Sequence, residues 1–354
     1  MTAKGRWKLL KKLLFITAML YVIVIVGFFA LQEHLIFHPL KSNNGLLYYQ
    51  ELGKLKGVRE VTIESYGGVK LQAWYRRPDP GYDMVLYLHG NSGNIEQRAG
   101  KIQLLADMGY GVLIPAWRGF GSSTGSPSKE GIYEDARAAV RFLMKQGYDS
   151  RKVTIVGESL GSGPAVKMAT EKEFKGLLLI TPYTSIADRG YETYPFLPIN
   201  TLLKHNFDNM SNIKDVHVPI IIVHGTDDVI MPHWHSERLH KEANEPKKLI
   251  IYPGVGHSDY DTARIFQEMR SFLGMADNHK TPIYDRTMDE PIPATTSKDS
   301  GKNETRKSGK SIKQEPAKQD KPVTVESKDN AEVDPKTDPD PEPQPQAQPA
   351  SQEN

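Results

Sequence analysis

The chain has 354 residues, 45 Lys+Arg against 43 Asp+Glu, and no cysteine. The missing thiol excludes disulfides, Cys-ligated zinc, iron–sulfur clusters, a cysteine nucleophile and an acylated lipoprotein Cys. A net charge of +2 offers no basic surplus for nucleic acid. Hydrophobic content of 38% with 24 Pro is low for a packed domain, so one part of the chain dilutes the rest.

Residues 1–12 carry Lys4, Arg6, Lys8, Lys11 and Lys12 and no acid. Residues 13–31 follow as an uncharged apolar run. As a helix this run is about 28 Å long, enough to cross a bilayer core. A cleaved signal peptide is the competing reading, but the run is long and no A-x-A-like site follows it. The expectation is an uncleaved transmembrane anchor. The basic segment then stays cytoplasmic and everything after Leu31 lies on the other side, with a bacterial cell membrane the expected setting.

Residues 32–275 are one domain's worth of chain. Residues 58–65 and 70–76 flank Gly67-Gly68 and read as an antiparallel hairpin. Apolar runs at 84–88, 111–116, 153–157, 176–181, 219–224 and 248–252 read as buried strands. Amphipathic stretches at 95–108, 129–146, 160–171, 234–242 and 260–273 read as helices. Such alternation predicts an α/β fold: a mostly parallel, eight-stranded sheet with helices on both faces. Residues 276–354 hold 11 Pro, 12 basic and 16 acidic residues, six Ile+Val and a single aromatic, Tyr284. That composition cannot offset chain entropy and predicts a disordered tail whose partner is unknown.

The sharpest motif is Gly157-Glu158-Ser159-Leu160-Gly161, a G-x-S-x-G between a strand and a helix. A tight turn there presents Ser159 at a helix N-terminus, where negative charge is favoured. A serine nucleophile needs a base and an orienting acid, which follow in the order acid, His. The run 219–223 leads into His224-Gly225-Thr226-Asp227-Asp228, and the run 248–252 leads into a loop ending in His257. Among eleven histidines, His257 alone has this order and loop context. Asp227 and Asp228 are adjacent, and the residues themselves leave the choice between them open. Oxyanion donors are expected from the backbone N–H of Leu160 and of Asn91, with Ser92 in reserve, in the loop His89–Asn94. His89 reads as a loop brace. His233 and His235 form an H-x-H without further ligands and read as a solvated helix start. No cofactor and no metal are expected.

Taken together, HGNSGNIEQR, WRGFGSSTGSPSKEGIYEDA, GESLGSG, HGTDD and GVGH resemble one branch of the α/β-hydrolases. That branch comprises small membrane-anchored serine hydrolases, including eukaryotic protein depalmitoylases and bacterial relatives. The resemblance covers roughly residues 35–274. It implies Ser159 as nucleophile, His257 as base and, from the spacing after the H-G-T turn, Asp228 as acid. It also implies that Arg118, Gly119, Phe120, Gly121 and Ser123 form a structural loop, with Ala116-Trp117 departing from the usual acid and Tyr. Residues 182–215 are expected to form a small cap, in which Tyr183, Tyr194, Phe196 and Leu197 either line an acyl pocket or pack the cap down.

The implied activity is cleavage of an acyl ester or thioester, with a lipid-borne substrate among the candidates. Two other readings stand beside it. One is a peptidase of prolyl-oligopeptidase type, which usually carries an extra domain this chain lacks room for. The other is an anchored scaffold with an idle hydrolase fold, although no triad member is missing.

Overall fold

A computed structural model describes residues 3–42, 45–277, 286–289 and 323–325. Helix α1, Ala3–Ile36, opens the chain and is about 51 Å long. It has the length and hydropathy of a membrane span or of a signal sequence. It runs well past both ends of the 13–31 stretch. A short helix α2, Gly45–Glu51, follows, which the sequence pattern does not announce.

The sheet then builds in chain order. Strands β1, Arg59–Ser65, and β2, Val69–Arg76, form the expected antiparallel hairpin. Next come β3, Met84–Leu88, and β4, Gly111–Pro115. The remaining parallel strands are β5, Val153–Glu158, β6, Gly176–Ile180, β7, Ile220–Gly225, and β8, Lys247–Tyr252. The order is β1-β2-β4-β3-β5-β6-β7-β8, parallel from β4 to β8. A three-residue strand β9, Val323–Val325, adds an antiparallel ninth strand beside β8. The five central parallel strands β3 to β7 are buried along their whole length, because helices cover both faces. This is why they read as unbroken apolar runs.

Helices α3, Ala99–Asp107, α4, Lys129–Lys145, and α5, Ser162–Glu171, supply part of that cover. Helices α9, Trp234–Glu242, and α10, Thr262–Phe272, supply more. Ser128 caps α4 and Asp261 caps α10, each through a side-chain oxygen. Between β6 and β7 the chain makes three short helices: α6, Ile186–Thr193, α7, Ile199–Leu202, and α8, Asn209–Asn212. These form the cap.

Most of the expected disordered tail lies outside the described residues. Beyond residues 276–277, two pieces of it are described, and each has regular structure. One is β9. The other is a single turn, Arg286–Asp289, where Met288 is buried in the core and Asp289 accepts a 2.7 Å hydrogen bond from the Gly100 N–H.

Candidate active site

Loops after β3, β5, β7 and β8 meet at the carboxyl edge of the sheet, the usual ligand edge of an open α/β sheet. Ser159 follows β5 with φ of +50°, a left-handed conformation that costs a non-glycine residue energy. The turn closes because its neighbours lack side chains. A Cβ on Gly157 would sit 2.6 Å from the Ala165 Cβ, and one on Gly161 would overlap the Leu88 carbonyl oxygen. The glycines at 157 and 161 thus let β5, β3 and α5 approach closely enough to lift Ser159 above the sheet edge.

His257 Nε2 lies 3.1 Å from Ser159 Oγ, and His257 Nδ1 lies 2.6 Å from Asp228 Oδ2. On the tautomer this geometry favours, Nδ1–H donates to Asp228 and Nε2 accepts from the serine hydroxyl. Asp228 is buried, and its Oδ1 also accepts from the backbone N–H groups of Ile230 and Met231, at 2.9 and 2.7 Å. Burial alone would raise the Asp228 carboxyl. Hydrogen bonds from His224 and His257 outweigh it and hold the group well below the usual carboxylate range. Asp227, one residue earlier, is exposed and accepts only from the Thr226 hydroxyl among the described hydrogen bonds.

His224 takes a part in this site that the sequence pattern gave no reason to assign. Its Nε2 lies 3.0 Å from Asp228 Oδ2 and 2.7 Å from the Met231 carbonyl, while Nδ1 lies 2.6 Å from Ser236 Oγ. It therefore meets the same carboxylate oxygen as His257 and helps fix it. The only available signal was its place at the head of the HGTDD stretch.

Ser159, Leu160, Asn91, Ser92 and His257 all line one cavity of about 530 Å³. The Asn91 side chain has a separate duty. Its Nδ2 donates to the Ile36 carbonyl at 2.6 Å, and its Oδ1 accepts from the His38 N–H at 2.9 Å. The loop after β3 is thereby tied to the end of α1. Of the four cap residues, Tyr183, Tyr194 and Leu197 line the cavity, whereas Phe196 is exposed beyond it.

Beneath the turn lies a buried ionic cluster that sequence patterning missed. Glu158 meets Lys101 Nζ at 3.0 Å, Arg98 Nη2 at 3.4 Å and the Tyr87 hydroxyl at 2.5 Å. Arg98 Nη1 also donates to the Ser92 carbonyl at 2.6 Å. One cluster thus joins the turn carrying Ser159 to the loop carrying Asn91. Burial would raise the Glu158 carboxyl, but the two cations win and hold it far below the usual range.

His89 braces its loop. Nδ1 lies 2.7 Å from the Gly90 carbonyl, Nε2 accepts from the Trp117 N–H, and the Trp117 indole donates to the His89 carbonyl at 3.0 Å. Burial, helped by the Arg98 charge, lowers its imidazole to about 3, so it is neutral. Trp117 replaces the expected Tyr and holds the loop through that indole. Arg118 is clasped by buried Asp135 at 2.7 Å and by Ser65.

His233 stands partly exposed at the start of α9, as a solvated helix start would, but the same reading of His235 needs correction. His235 is fully buried, and its Nδ1 sits 2.8 Å from the Thr184 hydroxyl, so it pins α9 to the cap. Burial lowers it to about 4. Among the described residues, no group of three or more His, Asp or Glu side chains is arranged to hold a metal ion.

A family profile described as alpha/beta hydrolase fold matches residues 83–196, and one described as PhoPQ-activated pathogenicity-related protein matches residues 192–305. An uncharacterized protein of Mycobacterium tuberculosis is 36% identical over 241 residues, covering 64% of this chain and 86% of that protein. The alpha/beta hydrolase domain-containing protein WAV2 of Arabidopsis thaliana is 25% identical over 253 residues, covering 65% and 82%. Among solved structures, an esterase from Pyrococcus furiosus superposes with a TM-score of 0.53 at 20% identity, covering 68% of this chain and 96% of that one. The chain belongs to the α/β-hydrolase family.

Proposed function

We propose that the chain is a membrane-anchored serine hydrolase that cleaves carboxylic ester or thioester bonds through an acyl-enzyme. The observation that carries this reading is the continuous hydrogen-bonded line Ser159–His257–Asp228, with the serine on a strained, glycine-flanked turn. Ser159 Oγ attacks the acyl carbonyl while His257 Nε2 takes its proton. Asp228 holds the imidazole tautomer and stabilises the imidazolium. The backbone N–H groups of Leu160 and Asn91 hold the oxyanion. The bond to the alcohol or thiol then breaks, and His257 returns the proton to that leaving group. Water, activated by the same imidazole, releases the acid and restores Ser159. In this reading α1 anchors the chain, and the substrate is an acyl ester or thioester.

Ser159→Ala is expected to abolish covalent labelling by a fluorophosphonate probe while the far-UV circular dichroism stays native. Persistent labelling of that variant sinks the assignment.

A further inference from the structure

The cavity beside Ser159 is not enclosed by the catalytic domain alone. One wall is the last third of α1, where Phe28, Phe29, Gln32, Leu35 and Ile36 face it, opposite Leu197 of the cap. From Ile36 to Phe28 the helix rises about 12 Å. The Ile36 end is held beside Asn91, next to Ser159. The cavity therefore runs from the serine along the anchor helix.

Specific contacts hold the cap on this helix. Gln32 is the one buried residue of α1. Its Nε2 donates to the Leu202 carbonyl at 3.2 Å, and its Oε1 accepts from the Lys204 N–H at 2.8 Å. Phe28 packs edge-on against Tyr194 at 4.8 Å, and the Tyr21 hydroxyl donates to the Phe196 carbonyl at 2.7 Å. Tyr21 and Phe28 lie within the apolar stretch, so the cap is bound to a portion of α1 that has the hydropathy of bilayer.

Three apolar side chains are exposed beside this junction, while the Lys204 ammonium lies 4.2 Å from the Phe29 ring. Phe196 is 56% exposed, and Val229 and Ile230, directly after Asp228, are 85% and 55% exposed. Such a rim, continuous with an apolar helix, is unfavourable in water and favourable in hydrocarbon.

We propose that this cavity is a lateral port, with α1 as one wall. The acyl chain of a lipid-borne ester enters it from the adjoining bilayer leaflet and reaches Ser159 without crossing water. This rests on the serine-hydrolase reading of Ser159. The anchor is then part of the substrate site, and the preferred acyl chain is long.

The test uses the full chain in proteoliposomes. A fluorogenic hexadecanoyl lipid ester is placed either in the enzyme's own vesicles or in enzyme-free vesicles mixed with them. Hydrolysis is expected to be at least about tenfold faster in the shared bilayer, since a hexadecanoyl ester leaves its own vesicle only by exposing its chain to water, at a cost that grows with every CH₂. Equal rates overturn the port. In a second arm, Leu35→Trp narrows the α1 wall. It is expected to lower the ratio of kcat/KM for hexadecanoyl over butanoyl esters about tenfold, and an unchanged ratio overturns the role of α1. Butanoyl turnover and fluorophosphonate labelling of the unaltered chain report on the reading beneath. If both are absent, that reading falls and the port falls with it. If both are present and the bilayer arms agree, the port alone falls.

Discussion

Two neighbouring carboxylates follow β7, and only their surroundings separate them. Asp228 is 4% exposed and has hydrogen-bond partners in His257, His224 and the N–H groups of Ile230 and Met231. Asp227 lies in solvent beside Thr226. The two residues by themselves leave this choice open, because a one-residue shift in a turn reverses which side chain points inward. The motif resemblance pointed to Asp228, and the geometry favours the same residue. Asp228→Asn keeps the volume but lets the histidine adopt the wrong tautomer, so kcat is expected to fall about 10³–10⁴-fold. Asp227→Asn is expected to stay within about threefold, since exposed substitutions rarely matter. Steady-state kinetics on one short ester distinguishes the two, and the reverse ranking removes Asp228 from the proposed triad.

The turn and the loop that together make the site are separate elements, and the Glu158 cluster makes them one body. Breaking a buried ion pair from one side leaves uncompensated charge and costs about 3–5 kcal/mol. Glu158→Gln strands Arg98 and Lys101 in this way, so a loss of that order is expected in urea unfolding at neutral pH. The pH dependence has a definite sign. The Glu158 carboxyl titrates lower in the folded chain than in the unfolded one. Its contribution is therefore fully present above the ordinary Glu value of about 4.3 and is lost as pH falls toward the depressed folded value. The variant is expected to show a shallower loss of stability between about pH 5 and pH 3 than the unaltered chain. Parallel acid limbs in the two proteins contradict this. Tyr87 comes from β3, Arg98 and Lys101 from the turn before α3 and from α3 itself, and Glu158 from β5, 57 residues beyond Lys101, so no local pattern links the acid to its cations. By contrast, the eight long strands and the helices that cover them were legible, because their apolar runs are the direct imprint of two-sided burial. The short helix α2 and the Met288 turn were not, because a few anchoring contacts leave no pattern in composition.

At the scale of the whole molecule, a net charge of +2 conceals a basic head, a nearly neutral body and an acid-rich end. In the proposed anchor only the head would set orientation, because positive residues near a span do so while distant charges contribute little. In the proposed topology, Lys4, Arg6, Lys8, Lys11 and Lys12 hold the N-terminus in the cytoplasm and place the cap and Ser159 against the opposite leaflet. The contacts of Tyr21, Phe28 and Gln32 with the cap then constrain more than location. A chain inserted the other way would carry the same site to the other leaflet, so orientation decides which lipids the cavity can meet. Protease added to intact spheroplasts is expected to digest the catalytic domain of the unaltered chain. Replacing the five basic residues by Gln is expected to leave a substantial fraction protected until the cells are opened. Protection of the unaltered domain in intact spheroplasts would invert the topology and transfer the proposed port to the cytoplasmic leaflet.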